Sequence, residues 1–112
     1  MTENISPKEQ ALIAARAIDD KKGSDIVIQE VGKLLNVTDY FVICTAANNR
    51  RADSIYEEVE ERLRKEAGVK PISVEGVEDG KWILLDYGQI VVHIFLPEQR
   101  EYYRLEQLWD EA

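Results

Sequence analysis

The chain has 112 residues, enough for one domain spanning 1–112 with a core of its own and no dependence on disulfides. Its 14 Lys and Arg stand against 22 Asp and Glu, a net charge of −8, so the basic footprint needed to grip a phosphate backbone is missing and little or no direct nucleic-acid binding is expected. The one cysteine, Cys44, excludes an intramolecular disulfide and a cysteine-built zinc site, and no apolar run approaches the ~20 residues of a membrane span. The polar N-terminus carries Glu3 and Glu9 and has the pattern of neither a signal nor a transit peptide, so a cytoplasmic protein is expected.

Ser6-Pro7-Lys8-Glu9 opens the first predicted helix. Ser6 suits the N-cap, Pro7 the first helical position and Glu9 a capping box. Ala11, Leu12, Ala15 and Ile18 follow at helical spacing, and Gly23 reads as the stop. Asp25 to Val31 is a predicted strand, Asn36 a turn, and Tyr40 to Ala46 a second, strongly apolar strand. Arg50 to Ala67 reads as a long amphipathic helix with Ala52, Ile55, Tyr56, Val59 and Leu63 on one stripe and a solvated charged face opposite, ending at Gly68. Three strands come next: a short one from Pro71 to Glu75, a hairpin loop from Gly76 to Gly80, then two strands joined by a tight turn at Tyr87-Gly88-Gln89. Pro97 ends the last strand and Glu98 starts a final helix in which Tyr102, Leu105 and Trp109 lie along one face, joined by Leu108. The order is α-β-β-α-β-β-β-α. It predicts a single-domain α+β fold, a mixed five-stranded sheet with helices packed mainly on one face.

Strand alternation sorts the candidate residues. Ile72, Val74, Ile83 and Leu85 should face the helices, which leaves Ser73, Glu75, Trp82, Leu84 and Asp86 on the less covered face. A Trp beside Leu is costly to leave wet, and Trp is a common interface hot spot. Either Trp82 is a docking anchor ringed by Glu75, Glu78, Asp79 and Asp86, or it packs under the helix or under the C-terminal tail. His93, the single histidine, lies mid-strand and reads as structural. A Cys44–His93 dyad lacks both an oxyanion hole and a third orienting group, and one His with scattered carboxylates is no metal set. No enzyme activity, cofactor or metal is expected. Asn49, Arg50 and Arg51 open the long helix, where free N–H groups and the dipole favour anions. The alternative function is therefore a small phosphate- or nucleotide-binding protein; the plain reading of the same residues is Asn capping with solvated arginines.

The motif Trp82-Ile83-Leu84-Leu85-Asp86-Tyr87-Gly88, then Val91-Val92-His93-Ile94-Phe95, then Arg100 to Trp109, resembles the C-terminal half of the ribosomal silencing factor family, also called Iojap-related proteins. Val37-Thr38-Asp39-Tyr40-Phe41-Val42-Ile43, Asn49-Arg50 before a charged helix, and Val74-Glu75-Gly76 extend the resemblance from about Ile18 to Trp109. Gln89 stands where family members often carry Asp. The resemblance implies a nucleotidyltransferase-like topology. The Gly-Ser turn and paired acids of those enzymes are not matched, since Gly23-Ser24 precedes the first predicted strand and no Asp-x-Asp occurs. It further implies a translational repressor that binds the large ribosomal subunit through that subunit's ribosomal protein fourteen and blocks joining of the two subunits. Carried onto this chain, Trp82 would be the anchor, Glu75 and Asp86 the partners of Lys or Arg, and Leu84, Tyr87 and His93 further contacts. A homodimer through the same face is also open.

Overall fold

A computed structural model describes residues 5–32 and 38–104 of the chain. In order it contains α1 (Pro7–Asp20), β1 (Ser24–Glu30), β2 (Tyr40–Thr45), α2 (Asn49–Ala67), β3 (Ser73–Glu75), β4 (Trp82–Asp86), β5 (Ile90–Phe95) and α3 (Pro97–Tyr103). The turn expected at Asn36, and Leu105, Leu108 and Trp109 of the final helix, lie outside the described residues.

The helix ends follow from local chemistry. The Ser6 hydroxyl accepts the Glu9 N–H at 3.1 Å, which satisfies one of the orphan donors of the first turn of α1. Asn48 does the same for Arg51 at the start of α2, and Gly68 closes α2 in the left-handed conformation. At the end of α1 the left-handed residue is Lys22, not the expected Gly23. Gly23 is needed for space: a Cβ there would lie 2.3 Å from Cγ2 of Ile18.

The five strands form one sheet in the order β1-β2-β5-β4-β3. β2 and β5 are parallel and central; the other pairs are antiparallel. Covered on both faces, β2 and β5 need near-continuous apolar sequence, and Phe41 to Thr45 and Val92 to Phe95 are all buried. On one face α1 and α2 pack over Val42, Cys44, Ile83, Leu85, Ile90, Val92 and Ile94. The helices supply Ile13, Ala14, Ala17 and Ile18 from α1 and Ala52, Ile55, Val59, Leu63 and Ala67 from α2. Of the expected α1 stripe, Ala11 and Ile18 are buried in this core, while Leu12 and Ala15 are half-buried at its flank. Arg62 of α2 ties the two helices together by bonding both Asp20 and Glu58. On the opposite face a smaller core gathers Val31, Phe41, Ile43 and Phe95, with Trp82 at its margin.

Ile72 departs from expectation. It is 73% exposed because β3 begins only at Ser73, at the sheet edge, beyond the reach of the helices. The edge is instead fastened by backbone. The Ile72 N–H donates to the Asp86 carbonyl at 2.6 Å, and Gly76, at φ +85°, lets the chain pass so close to β4 that a Cβ would meet the Trp82 carbonyl oxygen at 2.0 Å. Gly76→Ala combines a left-handed backbone with a clash against main chain. It should lower the unfolding free energy by about 3 kcal/mol or more, read by urea titration.

Candidate functional site

The outer face of the sheet is organised in rows across the strands. Glu75 pairs with Leu84, Leu84 with His93, His93 with Ile43, and Ile43 with Val27. A second row runs Ser73, Asp86, Val91, Phe41, Gln29. Along the first row the cover changes from one side to the other: Glu75 is exposed, Leu84 half-buried, and His93 and Ile43 buried. The face is therefore core over β2 and β5 and open over β3 and β4.

Trp82 sits on that boundary, half-buried. Its ring centroid lies 4.8 Å from that of Phe95 and 4.8 Å from that of Tyr103 of α3, and the Nε1–H donates to Nδ1 of His93 at 3.1 Å. Aromatic contacts at this spacing add to the stabilisation from area alone. α3 is held over the sheet by Arg100, whose guanidinium donates to the Thr45 hydroxyl at 2.8 Å. Trp82 thus packs under the C-terminal helix on one side and is open to solvent on the other. Tyr103, 47% exposed, extends the aromatic surface, and Tyr102 packs edge-on against it. Tyr102 is itself exposed. Sequence periodicity gave no signal for Tyr103, because its contact with Trp82 joins elements that only the fold brings together.

Glu75, Leu84 and Asp86 share this face with Trp82. The Asp86 carboxylate also accepts the Gly88 N–H at 2.8 Å, so it shapes the β4–β5 turn while standing at the open side. Tyr87 does not join them. It points to the helix side, 8% exposed within the main core, where burial and the nearby Glu60 raise its hydroxyl pKa. His93, at 4% exposure, is too deep for direct partner contact. Cys44 is likewise buried, on the helix side of β2, and burial pushes its thiol up to about 12.

The start of α2 has other engagements. Asn48 occupies the Arg51 N–H, the Asn49 amide donates to the Asp79 carbonyl, and an Arg51 guanidinium N–H donates to the Lys21 carbonyl. Arg50 is exposed. These partners match ordinary capping and packing. Among the described residues no group of three or more His, Cys, Asp or Glu is placed to hold a metal ion, and no helix is long and apolar enough to cross a membrane.

The model of the family described as "Ribosomal silencing factor during starvation" matches residues 4–112. The chain belongs to the ribosomal silencing factor family. The ribosomal silencing factor RsfS of Bacillus subtilis is 37% identical over 108 residues, covering 96% of this chain and 91% of its own. The maize protein named chloroplastic Iojap is 37% identical over 105 residues, covering 91% of this chain and 44% of its own. A crystal structure from Chromobacterium violaceum superposes with a TM-score of 0.88 at 38% identity, covering 93% of this chain and 86% of that one. The resemblance read from the motifs and the α-β-β-α-β-β-β-α order are both borne out.

The buried imidazole of His93 gives a pH signature. Burial lowers the His93 pKa from 6.5 to about 4, so the unfolded chain takes up a proton at higher pH than the folded one. The stability that His93 contributes in its neutral form is present above about pH 6.5 and is lost as pH falls toward 4. Relative to His93→Asn, the wild type should lose about 3 kcal/mol of unfolding free energy between pH ~7 and pH ~4, measured by urea unfolding at each pH.

Proposed function

We propose that this ribosomal silencing factor docks the open side of its outer sheet face on the large ribosomal subunit, through that subunit's ribosomal protein fourteen. There it stands where the small subunit would otherwise join. The observation that carries this reading is Trp82. It is a large aromatic fixed by packing on one side and open on the other, with Glu75 and Asp86 further along the same face of β3 and β4. A pre-set aromatic beside carboxylates suits a basic protein surface; the ring fills a pocket and the carboxylates take Lys or Arg at the rim. The net charge of −8 supports a protein partner over bare RNA. The action is a steric block and requires no chemistry from the chain. A second copy binding the same face would compete with the ribosome, and light-scattering mass measured alongside binding reads that competition.

Co-sedimentation with isolated large and small subunits tests the reading. Wild type should travel with the large subunit alone. Trp82→Ala should bind about 30-fold or more weakly while keeping its helical circular dichroism, the loss expected of an aromatic hot spot. Binding of Trp82→Ala at wild-type strength would remove Trp82 from the interface.

The carboxylates make a separate prediction. Glu75→Lys should weaken large-subunit binding about tenfold at low salt and progressively less as salt rises, since exposed charges are screened. Asp86→Asn keeps an acceptor for the Gly88 N–H and removes only charge, so its effect should follow the same salt dependence.

A further inference from the structure

We infer that His93 is a positioning residue of the docking surface: from a buried place that no partner reaches, it fixes the orientation of the Trp82 indole by accepting its Nε1–H. The inference rests on the docking role proposed for Trp82.

The geometry leaves His93 little else to do. Its Nδ1 lies 3.1 Å from Nε1 of Trp82, and an indole N–H only donates, so Nδ1 carries the lone pair and the ring proton sits on Nε2. Nε2 is buried and makes no hydrogen bond. The imidazole is enclosed by aromatic rings, Phe41 edge-on at 4.7 Å and Phe95 stacked at 6.1 Å. Its neighbours across the parallel and antiparallel registers are Ile43 and Leu84. A side chain serving packing alone at this place would be apolar like theirs, since an imidazole with an unpaired buried N–H is the less stable choice. The one bond it does make is to the residue at the margin of the open face.

That bond supplies what stacking cannot. Contacts with Phe95 and Tyr103 hold the plane of the indole, but the torsion that turns the ring over is broad and ring stacking tolerates both orientations. Only one of them places Nε1 against His93. The hydrogen bond therefore selects which edge of the indole is presented to a partner, and it does so before the partner arrives, so no ordering cost falls on binding.

The test is a double-mutant cycle of binding to isolated large subunits, joined to an NMR measurement that needs no ribosome. His93→Leu keeps an apolar, packable side chain and should weaken binding about five- to tenfold with no loss of folded signal, the effect of one oriented hydrogen bond. His93→Asn returns an acceptor near the Nδ1 position and should bind within about twofold of wild type. In a Trp82→Phe background, which has no indole N–H, His93→Leu should cause no further loss. Wild-type binding by His93→Leu, failure of His93→Asn to rescue, or an undiminished loss in the Trp82→Phe background would each overturn the inference.

The Trp82 indole N–H, identified as the nitrogen-15 signal missing from Trp82→Phe, should exchange with solvent slowly in wild type and His93→Asn and about tenfold faster in His93→Leu. Equal exchange rates would also overturn it. If wild type does not sediment with the large subunit, the docking reading fails, and the exchange rates still decide whether His93 positions the ring.

Discussion

β5 has to satisfy two cores at once, and the outer face depends on that. Ile90, Val92 and Ile94 are sealed beneath α1 and α2, which fixes the register of the strand, because a slip of one residue would turn the whole apolar set outward. Once the helix side is fixed, alternation leaves Val91, His93 and Phe95 no choice but the other face. β4 is paired to β5 in antiparallel register, so Trp82 is delivered opposite Phe95 and Leu84 opposite His93. The position of the aromatic anchor is thus a consequence of helix packing on the far side of the sheet.

The open half of the face exists because β3 is short. A three-residue edge strand has no room for a second layer, and its residues pair only with β4. The smaller core covers the centre of the sheet and stops at Trp82. Beyond it stand Leu84, Glu75 and Asp86. This boundary gives Trp82 a rigid mount and an accessible edge together, a combination that neither a fully buried nor a fully exposed tryptophan offers.

Much of this was legible in the chain. Period-two alternation in 82–86 assigned Ile83 and Leu85 to the helices and Trp82, Leu84 and Asp86 to the other side, and helical spacing found Ala52, Ile55, Val59 and Leu63. Caps and stops set most element ends within one or two residues. What was not legible came from contacts between distant segments. Alternation placed Tyr87 with Leu85, facing the helices, yet its position beside Asp86 in the motif suggested a partner contact; the fold puts it in the core. In α1 the spacing found Ala11 and Ile18 but missed Ile13, Ala14 and Ala17, because alanines lie both on the buried side and at its flank and blur the periodicity. Tyr103 became part of the aromatic surface only when α3 folded back across β5.

The same two-sided sheet sets the chain's response to oxidants. Its one thiol, Cys44, lies on the helix side of β2, buried and held protonated. A thiol that is neither ionised nor reachable reacts slowly with peroxide or with a disulfide. The sheet stands between it and Trp82, so the outer face carries no thiol for an oxidant to modify.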